Sequence, residues 1–345
     1  MRYYVDIPPE IADKVNEQVR IGKYRSPQDF FIVSIQNQLY HESQDAGTVM
    51  QEVAGPDLTS AATQSVAMAS ITSDLHLLFD RPEPTTIKTV RVSNLPRLGY
   101  LWGQYNRFLP VKVATRIATN LINRGSTDHV SLTELYETCA RIGRDLGKDI
   151  EKKDHQFKRK RGTILSAGFP IGRDRNKSTL RFSTQFIGYL TKDKVEGAAP
   201  NLKFLELEKD DKNSTMAFVT DFGVRFASLT NPVVDRKDYS IALSDEEVTF
   251  LLDHIRSEVP REAKLIQLVL ASIKEGVATP ERLNEKVSEF APHWNKSEAS
   301  TMRSGVVSRI CELGLLEREK DGVKVTYKLT NLGEEYLKTL ASMGA

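Results

Sequence analysis

The chain has 345 residues, 40% of them hydrophobic, and a formal net charge of +2, enough apolar material for two or three domains. Its apolar runs are broken by charges far short of the roughly 20 residues a bilayer requires, and Met1-Arg-Tyr-Tyr-Val-Asp6 lacks a signal-peptide core, so no membrane association and a cytoplasmic location are expected. Only two cysteines occur, Cys139 and Cys311, each among apolar neighbours and without Cys-x-x-Cys or Cys/His spacing, which argues against a zinc site or a disulfide framework and for two small buried hydrophobes.

Arg2–Ile7 alternates and favours a strand. Pro8-Pro9 opens a helix carrying Ile11, Val15 and Val19 on one face and stopped by Gly22; Ser26 begins a second helix through Phe30, Phe31, Val33, Ile35 and Leu39. Strand, helix, Gly-x-Tyr-x-Ser turn and helix within forty residues resemble the ribbon-helix-helix fold of the Arc, MetJ and CopG repressors and the ParD antitoxins, most closely over Val19–Phe30. Such a unit buries too little area alone and folds by pairing its strand with that of a second chain, so a homodimer is expected. The resemblance implies that outward strand residues, here Arg2 and Tyr4, enter a major groove and that the second helix start at Ser26 clamps a phosphate; a module that only pairs chains is the alternative.

Residues 41–94 are rich in Ser, Thr, Ala and Gln, with seven acids and two bases between His41 and Lys88, and read as a flexible acidic linker; Met68, Ile71, Leu75 and Leu78 suit a short amphipathic helix. The first large domain then spans 95–238. Val111, Val113, Ile117, Leu121 and Ile122 share a helical face up to Gly125, and Asp128–Val130 suits a short strand. Ser131-Leu-Thr-Glu134 is a capping box before a helix with Leu132, Leu135, Cys139 and Ile142 inward. Phe182–Leu190 fits a helix and a strand equally.

From Lys148 to Arg181 the chain holds eleven Lys or Arg against four acids. Lys152, Lys153, Lys158, Arg159, Lys160 and Arg161 cover most of a helical circumference, which no core helix tolerates, and Arg173, Arg175, Lys177 and Arg181 follow in a glycine-flanked loop. Cations at this density release counterions from a duplex, so these ten are candidate DNA contacts. The alternative is an ordinary solvated surface.

The second large domain, 239–345, holds helices at 261–275, after Thr279-Pro280, and at 297–313, the last with Met302, Val306 and Ile310 inward and Lys296 and Arg303 free to meet DNA. Its end repeats the end of the first: Leu202-Lys-Phe-Leu-Glu-Leu-Glu-Lys-Asp210 and Thr220-Asp-Phe-Gly223 return as Leu313-Gly-Leu-Leu-Glu-Arg-Glu-Lys-Asp321 and Thr330-Asn-Leu-Gly333, offset by 111 and then 110 residues. Strand, charged turn, strand and a Thr-x-x-Gly helix start resemble the tail of a winged-helix domain. The fold expected is therefore mainly α with small β: a ribbon-helix-helix module (1–40), the linker, and two winged-helix domains.

Catalytic signatures are missing from the sequence. Gly168-Phe-Pro-Ile-Gly172 lacks the Lys-Ser/Thr ending of a phosphate loop, and the six histidines are scattered without metal-ligand spacing. Glu206, Glu208 and Asp210 are shared with the second copy and so belong to the hairpin. No catalytic residue, metal or cofactor is expected. The function implied is that of a non-enzymatic, dimeric prokaryotic transcriptional regulator on double-stranded DNA; the alternative is an accessory factor in partition, replication or phage defence whose C-terminal winged helix holds a protein partner.

Overall fold

The computed structural model describes residues 76–84, 87–160, 162–192, 194–321 and 324–342, together with Ala12, Asp13, Asn16 and Arg20, which are helical. The remainder of the expected ribbon module, with Arg2, Tyr4 and Ser26, lies outside the described residues, as do most of the linker and Arg161. Contacts divide the chain into two units, one comprising residues 1–57 and 172–181 and the other 58–171 with 182–345. The chain is mainly helical with small antiparallel sheets, an α+β arrangement.

In the larger unit, helix α1 (Leu109–Gly125) starts with proline in its first turn and ends at left-handed Ser126. Buried residues surround it, so it is the central rod of the core rather than a one-sided surface helix. Strand β1 (His129–Ser131) leads into α2 (Leu132–Gln156), where Ser131 Oγ accepts the Glu134 N–H at 3.1 Å and Leu132, Leu135, Cys139 and Ile142 are buried as the spacing predicts. Helix α3 (Arg175–Phe182) runs into a π-helical turn (Ser183–Ile187), resolving the ambiguous stretch as helix up to Gly188 and strand beyond it. A small hairpin, β2 (Tyr189–Leu190) and β3 (Val195–Glu196), precedes the short α4 (Ala198–Asn201).

The first repeat follows as β4 (Leu205–Lys209), β5 (Thr215–Val219) and α5 (Asp221–Ser228). Strand β1 joins its outer edge, giving the order β1-β5-β4 with Val130 opposite Ala217. Helix α6 (Pro232–Arg236) leads to α7 (Asp245–Glu258), which opens on the capping box Ser244/Glu247. Helices α8 (Pro260–Lys274), α9 (Pro280–Phe290) and α10 (Lys296–Glu312) come next, then β6 (Leu316–Asp321), β7 (Lys324–Leu329) and α11 (Asn331–Ser342). Helix α10 is capped by Asn295 and Glu298, whereas the Thr279 side chain makes no cap bond at α9, where proline already removes a free N–H.

The repeat seen in the letters is drawn again in hydrogen bonds. The Phe204 N–H reaches Ala199 O at 2.9 Å and the Lys203 N–H reaches Pro200 O at 2.9 Å; the Leu315 N–H reaches Ile310 O at 3.0 Å and the Gly314 N–H reaches Cys311 O at 3.1 Å. Both are helix-ending motifs with a left-handed residue, Lys203 (φ 57°) or Gly314 (φ 72°). At the far strand the hydroxyls of Thr220 and Thr330 donate back to Lys203 O (2.5 Å) and Gly314 O (2.7 Å) and accept the Gly223 and Gly333 N–H at 3.1 and 3.0 Å. The glycines are required: a β-carbon would stand 2.1 Å from Phe204 O in one copy and 2.2 Å from Leu315 O in the other. The correspondence extends beyond the matched letters, because Ala278 O accepts the Tyr327 N–H at 3.0 Å at the position where β1 meets β5.

Thr220→Ala and Thr330→Ala should therefore both destabilise, by about 2 and about 1 kcal/mol, with the more deeply buried Thr220 costing more. Urea midpoints of the two variants test this; negligible losses would deny the shared device, and equal losses the ranking by burial.

The two copies share one core. Phe250 of α7 lies 5.7 Å from Phe226 and 6.1 Å from Phe204, and a His254 ring nitrogen meets Leu202 O at 2.6 Å. Lys112 Nζ pairs with Glu247 at 2.8 Å and donates to Leu229 O at 2.7 Å, and Arg116 Nε donates to Ala227 O at 2.9 Å. These cations of α1 thus supply donors to the final carbonyls of α5, where a helix end is most negative. Burial lowers the Lys112 amine to about 8 despite Glu247. Of the stretch expected as linker, residues 77–84 and 87–94 are anchored: Leu77 and Leu78 are buried, Asn120 donates to Leu77 O at 2.8 Å, and the Val90 N–H reaches Val219 O at 3.0 Å.

Candidate nucleic-acid interface

The cations read as one run divide between the two units. In the larger unit, α2 outlasts its apolar face: after Ile150 the last buried position is Asp154, and Lys152 is exposed with Lys153 half-buried beside it. Lys152 meets Asp149 at 3.0 Å and Lys153 meets Gln156 at 3.1 Å, surface contacts that leave both amines solvated and individually contribute little. The helix stops at Phe157, and Lys158 turns the chain with φ 52°, exposed like Lys160.

Arg159 is different. Its guanidinium pairs with the buried Asp154 at 2.9 Å, donates to Tyr239 O and to Ser240 O at 3.2 Å, and lies 4.9 Å from the Phe157 ring. Asp154 in turn accepts the N–H groups of Leu165 and Ser166 at 3.1 and 2.9 Å. Arg159 thus ties the end of α2 to the strands of chain around it and is engaged away from solvent, where the sequence reading grouped it with DNA contacts.

In the smaller unit, Asp174 caps the turn before α3 by accepting the Lys177 N–H at 3.1 Å and pairs with Lys177 Nζ at 3.7 Å. Arg173, Arg175 and Arg181 are exposed. Lys296 is exposed at the start of α10, while Arg303 is half-buried with one amino group 3.3 Å from Ser300 Oγ.

Helix α10 is embraced on two sides. Met302, Val306 and Ile310 face the core as expected, and residues 101–108 cover the flank beside it, where the Gly103 N–H meets Met302 Sδ at 3.0 Å. There Gly103 packs backbone to backbone on Thr301 and Gly305, since a β-carbon at Gly103 would sit 2.2 Å from Thr301 O and one at Gly305 2.1 Å from Gly103 O. Arg309 is fully buried, paired with Glu262 at 2.7 Å and donating to Tyr105 O at 2.9 Å and Leu101 O at 3.0 Å. Glu312 accepts the Phe108 and Leu109 N–H groups at 2.6 and 3.1 Å, capping α1. Lys296 and Arg303, which the sequence reading left outward, lie off this covered flank, Lys296 exposed and Arg303 half-buried. Periodicity marks Met302, Val306 and Ile310 as buried but is silent on a second covered face; the small residue Gly305 was the available signal.

The acidic strand carries no free carboxylate cluster. Glu206 is fully buried and its carboxylate is taken by Arg97 and by Ser93 Oγ at 2.8 Å; burial raises its pKa while these partners oppose the shift. Asp210 accepts the Lys212 and Ser214 N–H groups at 2.9 and 2.8 Å, forming the hairpin turn. Among the described residues no group of three His, Cys, Asp or Glu is placed to hold a metal, and no helix is long and apolar enough to cross a membrane. Trp294 is buried and lies 6.3 Å from Trp102 and 5.6 Å from Tyr100, all within the packing around residues 100–102. Cys139 is buried and Cys311 half-buried, with burial raising the latter thiol to about 11.

Comparison with protein-family models, with curated proteins and with solved structures finds no match to this chain.

Proposed function

We propose that the chain is a double-stranded DNA-binding protein, a dimeric transcriptional regulator built on two fused winged-helix copies. The observation that carries the reading is the polar end of α2, where Lys152, Lys153, Lys158 and Lys160 project from a folded repeat without a buried counter-charge among the described residues. Supporting the winged-helix assignment are the order helix, strand, helix, hairpin, helix around β1-β5-β4, with α3, β2–β3 and α4 inserted before the hairpin, and its echo in α8, Ala278, α9, α10 and β6–β7. The forty-residue ribbon-helix-helix resemblance supports a paired chain and hence a two-fold target.

The covered face of α10 divides the labour between the copies. The first copy grips the backbone through its lysines, and the second serves as its scaffold. Grip of this kind is sequence-independent and salt-sensitive, so any choice of sequence falls to the ribbon.

Replacing Lys152, Lys153, Lys158 and Lys160 together by Gln should reduce the slope of log affinity against log salt by about 3 to 4, since each lost phosphate contact removes about 0.9. Arg159→Gln should instead lower the urea midpoint, because it unpairs Asp154. Duplex binding by anisotropy between low and high salt checks the first, and urea unfolding the second. An unchanged slope in the fourfold variant would remove α2 from the interface.

A further inference from the structure

We propose that the cleft between α10 and the β6–β7 hairpin is a binding site for a small phosphorylated ligand of mononucleotide size. The cleft has a volume of about 380 Å³ and is lined by Arg107, Arg303, Ser304, Ser308, Arg318 and Tyr327 among others, with no Asp or Glu among its described lining residues. The three guanidinium groups come from three places: the segment before α1, the middle of α10, and β6. An occupant would therefore bridge the first copy and the second.

The donors are held in advance. Arg107 is 7% exposed, and its guanidinium is fixed by Ser308 O at 3.2 Å, Gly162 O at 3.3 Å and Asn106 O at 3.1 Å. Gly162, at φ 108°, lets the Arg318 side chain pass where a β-carbon would stand 3.1 Å from its Cδ. Arg303 donates one N–H to Ser300 Oγ, but its Nε is buried and has no hydrogen-bond partner among the described residues. A buried charged donor left unmatched is costly, and an anion in the cleft would satisfy it.

Phosphate fits this donor set better than a neutral ligand. Planar guanidinium groups present paired N–H donors that match phosphate oxygens, and Ser304 and Ser308 add hydroxyls at the same wall. The adjoining cavity shares Arg107 and Arg318 and contains Glu312, Glu317 and Glu319, so those two arginines have acidic neighbours on that side. Arg303 belongs to the cleft alone. A duplex is too broad to enter a space of this size, which points to a free small molecule rather than to the DNA backbone.

The test is calorimetric titration of the full chain with pyrophosphate and with AMP, beside duplex binding by anisotropy. Saturable one-site binding of at least one probe is expected, weakened about tenfold or more in Arg303→Gln, with duplex affinity unchanged within about twofold. Ser304→Asp, on an exposed residue, places a carboxylate in the cleft and should produce the same loss if Arg303→Gln proves unstable. Probe binding is expected whether or not the chain binds duplex DNA. Absence of saturable binding by both probes, or binding indifferent to folded Arg303→Gln and Ser304→Asp, would overturn the assignment. So would loss of duplex affinity in Arg303→Gln without any probe binding, which would make the cleft a contact for backbone phosphate.

Discussion

Arg309→Ala should cost about 3–5 kcal/mol, the penalty for breaking a buried ion pair by removing one partner. Arg309 and Glu262 are both fully buried, bonded through Nε at 2.9 Å and through a terminal amino group at 2.7 Å. Glu262 also accepts the Leu101 N–H at 2.9 Å, while Arg309 serves the carbonyls of Leu101, Trp102 and Tyr105. Truncation strands the Glu262 carboxylate of α8 and three carbonyl groups at once, and the segment carrying the carbonyls is the one laid over α10. The double change Arg309→Met with Glu262→Leu removes both charges and should restore much of the loss, because a buried pair is far more costly to halve than to delete. Urea unfolding of the three proteins measures this. A loss below about 1 kcal/mol in Arg309→Ala would show that the segment does not depend on the pair.

Gly103→Ala and Gly305→Ala should each destabilise by about 3 kcal/mol or more, through steric conflict with backbone that cannot swing aside. The clashing atoms are Thr301 O for one and Gly103 O for the other. Both substitutions lift the same segment, so the double variant should lose little more than the worse single. Gly276→Ala is the control: its φ of 86° imposes a left-handed cost, but nothing stands within 4 Å of the added carbon, and about 1 kcal/mol is expected. If Gly103→Ala matched Gly276→Ala, the close approach over α10 would be wrong.

Local signals carried the helices, the hairpins and the repeat. Apolar spacing located α1 and α10 to within a residue or two and the start of α2, whose apolar face was read only to Ile142 although the helix runs to Gln156, and the paired Thr-x-x-Gly stretches located a device whose reason, a carbonyl wedged against glycine, is visible only in three dimensions. Helix α7 went unread, although the capping box Ser244-Asp-Glu-Glu247 marks its start. What could not be read locally was pairing over long separations. Lys112 and Arg116 resemble surface positions until α5 presents its carbonyls to them, and Arg159 resembles its neighbours until Asp154 and Tyr239 claim it. The counterpart of β1 in the second copy is a single backbone bond at Ala278 rather than a strand, which leaves no alternation to detect.

The seam at residue 238 is a boundary in the letters only. With Phe250 packed against the stacked pair Phe204 and Phe226, and Glu312 closing the start of α1, neither half possesses a complete interior of its own. The duplicate has become a keystone. Severing the chain there would yield two fragments that each expose the other's missing wall, and heat should melt the pair as one body rather than in succession.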